Sequence, residues 1–126
     1  LRRYEDRVIR ITLPWPPTSL NPNTRLHWAA LAKHKARYRA VCQMATETQR
    51  GAWDCQIPDG PLRLSIIFYR PTRRSYDRDN LLARMKSGLD GMCDSMRIND
   101  KRFATLVIRV ADEIRNTVAV EIERDA

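Results

Sequence analysis

Asp77-Arg78-Asp79-Asn80 follows an arginine-dense stretch, Arg70, Arg73 and Arg74, and opens a segment that carries Lys86, Asp90 and, beyond a short polar break, Asp100. Carboxylates among cations are what a divalent metal and a phosphodiester require together. Clustered acids hold a hard cation such as Mg²⁺ through oxygen, and the cations hold the polyanion it acts on. Each feature also has a plainer reading. An Asp-x-Asp before a helix is often a turn and an N-cap, Lys86 and Asp90 can be a surface i,i+4 ion pair, and Asp100 can be a turn residue.

These residues need an element to line them up. Counted at about 100° per residue from Asp79, Leu81, Leu82, Met85, Leu89, Met92, Cys93 and Met96 fall within about 120° of one another, the buried stripe of an amphipathic helix. Lys86 and Asp90 lie within about 20° of Asp79, so one edge of that helix shows carboxylate, ammonium, carboxylate. Gly88 and Gly91 inside the helix predict the close approach of another backbone, such as a second subunit's, or else a kink or an early fraying of the helix.

The remaining elements read from periodicity. Residues 7–13 alternate Ile9, Ile11 and Leu13 against Arg10 and Thr12, a half-buried strand ended by Pro14-Trp15-Pro16-Pro17. A long helix is expected from Thr24 or Arg25, or one turn later, to Arg50, capped by Asn23 or Thr24, with His27, Leu31, His34, Tyr38, Val41, Cys42 and Ala45 inward. Strands follow at Leu62–Arg70, Ala104–Val110 and Thr117–Glu123. The short polar link at 112–116 suggests that the last two form an antiparallel hairpin. The order β-α-β-α-β-β makes residues 1–126 a single α+β domain, with two main helices on a small mixed sheet of about four strands.

Charge narrows the partner. With 23 Lys+Arg against 15 Asp+Glu the net charge is +8, and nineteen of the cations are Arg, whose planar fork suits phosphate. The expected partner is nucleic acid, with Arg25, Lys33, Arg37, Arg70, Arg73, Arg74, Lys101 and Arg102 as candidate DNA contacts. No apolar run reaches the ~20 residues of a membrane span and no signal-peptide pattern is visible. Cys42, Cys55 and Cys93 form no C-x-x-C, so reduced thiols and a cytoplasmic protein are expected. His27 and His34 are too far apart on one helix to share a metal.

Ile11-Thr12-Leu13-Pro14-Trp15-Pro16-Pro17, then Asp77-x-Asp79-Asn80, Lys86, Asp90-Gly91 and Asn99-Asp100, resembles the pattern of the RusA-type Holliday junction resolvases. The resemblance implies a bacterial or phage-encoded homodimer that cuts four-way junction DNA symmetrically with Mg²⁺, or Mn²⁺ in its place. Under it Asp77, Asp79 and Asp100 are the metal-binding carboxylates and Lys86 the catalytic lysine. Two positions depart from the family's pattern. Lys86 stands seven residues after Asp79 where the best-known members have four, and Tyr76 stands where a basic residue can precede the first acid. Three other readings stay open: a nuclease acting on other branched DNA, a branched-DNA-binding module with structural acids, and a ribonuclease that uses no metal.

Overall fold

A computed structural model describes residues 7–125; residues 1–6 and 126 of the expected 1–126 domain lie outside the described residues. The chain forms β1 (Ile9–Pro14), α1 (Trp28–Thr48), β2 (Leu62–Tyr69), α2 (Arg78–Met96), β3 (Phe103–Ala111) and β4 (Thr117–Arg124). This is the α+β order read from the sequence, with three short 3-10 turns at Thr18–Leu20, Arg50–Ala52 and Asp100–Arg102.

The sheet runs β1-β4-β2-β3. β4 is antiparallel to both β1 and β2, and β3 is parallel to β2. The expected β3–β4 hairpin is therefore corrected: β2 lies between them. Residues 112–116 cross the end of β2, where the Arg70 carbonyl accepts from the amides of Arg115 and Asn116 (3.1 and 3.2 Å). Two strand spacings are roughly 10 Å, within the reach of five extended residues, so a short link did not require neighbouring strands.

Alternation explains the core. Ile9, Ile11 and Leu13 of β1, Leu62, Leu64, Ile66 and Phe68 of β2, and Val118, Val120 and Ile122 of β4 are all buried, and join the apolar stripe of α2 in one cluster. The opposite face carries ion pairs in register, Arg10 with Glu121 (2.7 Å) and Arg63 with Glu123 (3.8 Å). β3 forms an edge; its Ile108 and Val110 pack against the core while Leu106 is exposed.

α1 starts at Trp28, a turn later than its earliest expected start. Asn21 holds the preceding segment as a turn, its side chain accepting from the Asn23 amide and its carbonyl from the Thr24 amide (3.0 and 2.9 Å). The cap is His27, whose Nδ1 accepts from the Ala29 amide, rather than Asn23 or Thr24. Tyr38, Cys42 and Thr46 form its buried line, while His27 and Val41 are exposed. Gln49, at the end of α1, bonds both the amide and the carbonyl of Thr12 (2.8 and 2.7 Å), covering part of the β1 edge.

Both glycines of α2 lie against α1 of the same chain rather than a second subunit, Gly91 against its backbone and Gly88 against its side chains. A Cβ at Gly91 would overlap the Arg39 carbonyl, and one at Gly88 would meet the Tyr38 ring and Cys42 Sγ. Arg39 then reaches across to Asp94 with two bonds (2.6 and 2.9 Å), which holds the Asp94 carboxyl below the usual carboxylate range.

Candidate nucleic-acid and metal site

α2 begins at the acidic motif. Asp77 is its N-cap: Oδ1 accepts from the amides of Asp79 and Asn80 (2.8 and 3.3 Å). Asp79 sits exposed in the first turn, where an anion suits the helix dipole. Two turns along, Lys86 Nζ lies 3.3 Å from Asp90 and 3.4 Å from Asp100. The chain delivers Asp100 there by ending α2 at Arg97, in the left-handed conformation, and turning through Asn99, whose side chain accepts from the Lys101 amide. Partial desolvation pulls the Lys86 pKa down, but the bonds and charges of Asp90 and Asp100 outweigh it and leave the ammonium above its ordinary value.

The predicted acids thus form two groups rather than one. Asp77 and Asp79 stand at the start of α2, Asp90 and Asp100 flank Lys86, and seven residues of helix, roughly 10.5 Å, separate Asp79 from Lys86. Among the described residues no three Asp, Glu, His or Cys side chains are grouped to hold a metal ion. The donors have the right chemistry for a hard cation but do not make an all-protein cage. Mg²⁺ commonly needs only one or two carboxylates, completed by water and substrate phosphate, and the pair of acids at the start of α2 meets that lesser requirement.

The candidate DNA contacts also divide. Arg25, Lys33, Arg37, Arg73, Arg74 and Lys101 are exposed, and none is among the ion pairs of the described residues. Arg70 and Arg102 are half-buried and engaged: Arg70 Nη1 donates to the carbonyls of Arg73 and Arg74 (3.5 and 3.2 Å), and Arg102 donates to those of Pro58 and Gly60. Both serve loops of their own chain, which leaves fewer donors for phosphate than composition suggested.

Arg84 escaped the sequence reading. It is buried, and its Nη2 donates to the Pro16 carbonyl (2.6 Å), while its guanidinium lies 5.9 Å from the ring centres of both Trp15 and Tyr76. Desolvation lowers its pKa. The available signal was its place on α2: Arg84, Gly88, Gly91 and Ser95 fall on one arc beside the apolar stripe, and the small residues show that this arc is covered too.

These features define a basic α+β domain with an acid-and-lysine edge on one helix. The chain is 39% identical over 114 residues to a protein of the bacterium Xylella fastidiosa (strain Temecula1) that bears the description "Uncharacterized protein"; the match covers 89% of this chain and 72% of that one. The chain belongs to the same family as that bacterial protein. No family model matches the chain. Among the described residues no helix is long and apolar enough to cross a membrane.

Proposed function

We propose that this protein is a RusA-type, Mg²⁺-dependent endonuclease that resolves four-way DNA junctions by symmetric hydrolysis of phosphodiesters. The observation that carries the reading is the meeting of Lys86 with Asp100, fourteen residues further along the chain, on the acidic edge of α2. A lysine that served only the surface would need no acid from beyond the helix.

Lys86 acts as a fixed point charge. Its two carboxylates keep it protonated, so it is no general base; it faces negative charge as it develops on the phosphate oxygens. When bound, Mg²⁺, or Mn²⁺ in its place, would supply positive charge against the phosphate and a more acidic water, with Asp77 and Asp79 as the residues that would hold it; Asp100, beside Lys86, stands apart from that pair. The cap bonds of Asp77 fix its carboxyl at the helix start, and Asp79 extends from the next turn-forming position. Arg25, Lys33, Arg37, Arg73, Arg74 and Lys101 bind backbone phosphate without reading sequence. A homodimer would place two such sites for the two strands, and the open β3 edge with exposed Leu106 is a surface on which copies could join.

One observation favours a second reading. The dispersal of the acids into two groups suits a branched-DNA-binding module in which they are structural. A four-way junction labelled on each strand separates the two, tested with Mg²⁺ or EDTA for the wild type, Asp79→Asn and Lys86→Ala. The nuclease reading expects paired symmetric nicks that need Mg²⁺, vanish in Asp79→Asn and fall about 10²–10³-fold in Lys86→Ala, with binding retained. Wild-type binding with no cutting moves the chain to the module class, and cutting that persists in EDTA moves it to a metal-free nuclease.

A further inference from the structure

The buried Arg84 has no acid partner among the described residues. Among the described residues no carboxylate pairs with it, its Nε is buried without an acceptor, and Pro16 is the one hydrogen-bond partner of its guanidinium. Guanidinium does not shed its proton to escape such a site, so a whole positive charge stands desolvated and uncompensated. The Pro16 carbonyl and the Trp15 and Tyr76 rings hold the fork still; they do not neutralise it.

Arg84 lines a cavity of about 450 Å³ between the start of α2 and the loop after β1. The walls suit an anion. Arg74 adds a second cation, and Thr18, Asn21, Ser75 and Asn80 add polar groups. The one acid on the wall, Asp77, has its Oδ1 turned onto the amides of Asp79 and Asn80. The volume falls within the range of nucleotide-sized ligand sites.

We propose that this cavity seats one backbone phosphate of a bound nucleic-acid strand, with Arg84 as its buried counter-ion. The inference rests on the nucleic-acid reading above and sharpens it. A phosphate held here lies beside Asp77, so the strand would be fixed next to the first acid of the motif. Phosphate recognition through a rigid, desolvated fork also differs from the loose contacts of the exposed arginines, because the fork forms directed, charge-assisted bonds.

The test is made without divalent metal, in EDTA, by fluorescence anisotropy on a short labelled oligothymidylate. Arg84→Met should weaken binding by at least about tenfold, the worth of a charge-assisted bond, whereas Arg73→Ala, outside the cavity, should weaken it far less. Inorganic phosphate should compete better than chloride at equal ionic strength against the wild type, and lose that advantage in Arg84→Met. Should Arg84→Met not fold, Asn80→Asp puts a carboxylate where a helix start favours one, sets negative charge on the cavity wall, and must show the same tenfold loss.

Undiminished oligonucleotide binding in a folded Arg84→Met, or in Asn80→Asp, overturns the proposal. So does Arg84-dependent binding of inorganic phosphate with no effect on the oligonucleotide, which would make this a site for free phosphate. The nuclease reading stands or falls apart from this: Arg84-dependent binding without cutting sinks that reading alone, and junction cutting with Arg84-independent binding sinks the cavity alone.

Discussion

Arg84 and Lys86, two residues apart on α2, are placed in opposite electrostatic settings. The Lys86 side chain is 63% exposed and has two carboxylates; Arg84 is 2% exposed and, among the described residues, has none. Burial and pairing are the reverse of the arrangement with the lowest desolvation cost, which would give the acids to the buried charge. A charged group that water already satisfies gains little stability from partners, and the nuclease proposed above gives the acids around Lys86 a role beyond stability. The buried Arg84 charge, unpaired among the described residues, is the one that the proposed phosphate would neutralise.

Arg84 shares its arc of α2 with Gly88 and Gly91, where α1 lies close, and Gly91 permits that closeness. Gly91→Ala would put a methyl against the Arg39 carbonyl, a backbone atom that cannot turn aside. The expected cost is about 1–3 kcal/mol of unfolding free energy in urea, with a loss of the Arg39–Asp94 bonds that span the same contact. Gly88→Ala should cost less if the Tyr38 ring can swing, although that ring is tied to the Pro14 carbonyl (2.6 Å). An unchanged stability in Gly91→Ala would show that the helices stand further apart on this arc of α2.

How much of that contrast was legible beforehand differs between its two halves. Helical arithmetic alone put Lys86 and Asp90 on one edge with Asp79, and the polar break put Asp100 nearby; the structure then pairs both acids with Lys86. The separation was legible too: seven residues at about 1.5 Å each set Lys86 roughly 10.5 Å along the axis from Asp79, so the acids at the start of α2 stand two turns from the Lys86 group. The burial of Arg84 is tertiary: the loop after β1 and the Tyr76 ring cover it, and no periodicity within α2 reports a loop some sixty residues earlier. Composition likewise counted Arg70 and Arg102 as phosphate contacts, when their donors face carbonyls of their own chain. The four strands were visible as alternating residues, but the sheet order was not, because β4 owes its central place to pairing with β1 and β2 rather than to its neighbour in sequence.

A lysine in place of Arg84 turns the desolvation into a pH dependence. Buried without an acid, the ammonium introduced by Arg84→Lys has a folded pKa below the unfolded value of about 10.4. Between those two values the unfolded chain binds more protons, so stability rises with pH, by up to about 1.4 kcal/mol per pH unit. The wild-type arginine does not titrate there and sets the baseline. Urea midpoints of the two proteins between pH 7 and 10 check this, and a difference that stays flat across the range would mean that the site is wet.

The smallest effect belongs to Lys86, and it is the one that separates folding from chemistry. A double-mutant cycle of Lys86→Met and Asp100→Asn should give a coupling of only about 0.2–1 kcal/mol, because the side chains are 63% and 56% exposed and salt screens them. The pair raises the folded pKa of Lys86, so its stabilisation is complete below the unfolded lysine value and fades as pH rises through the folded one. Raising NaCl to about 1 M should shrink the coupling further, since the Debye length is then near 3 Å. If the coupling is that small, a large loss of cutting in Lys86→Ala cannot come from unfolding, and the acids that surround Lys86 must be held there for the substrate. A coupling of several kcal/mol would instead make the cluster a structural clasp between α2 and the turn at Asp100, and the opposition between the two cations would disappear.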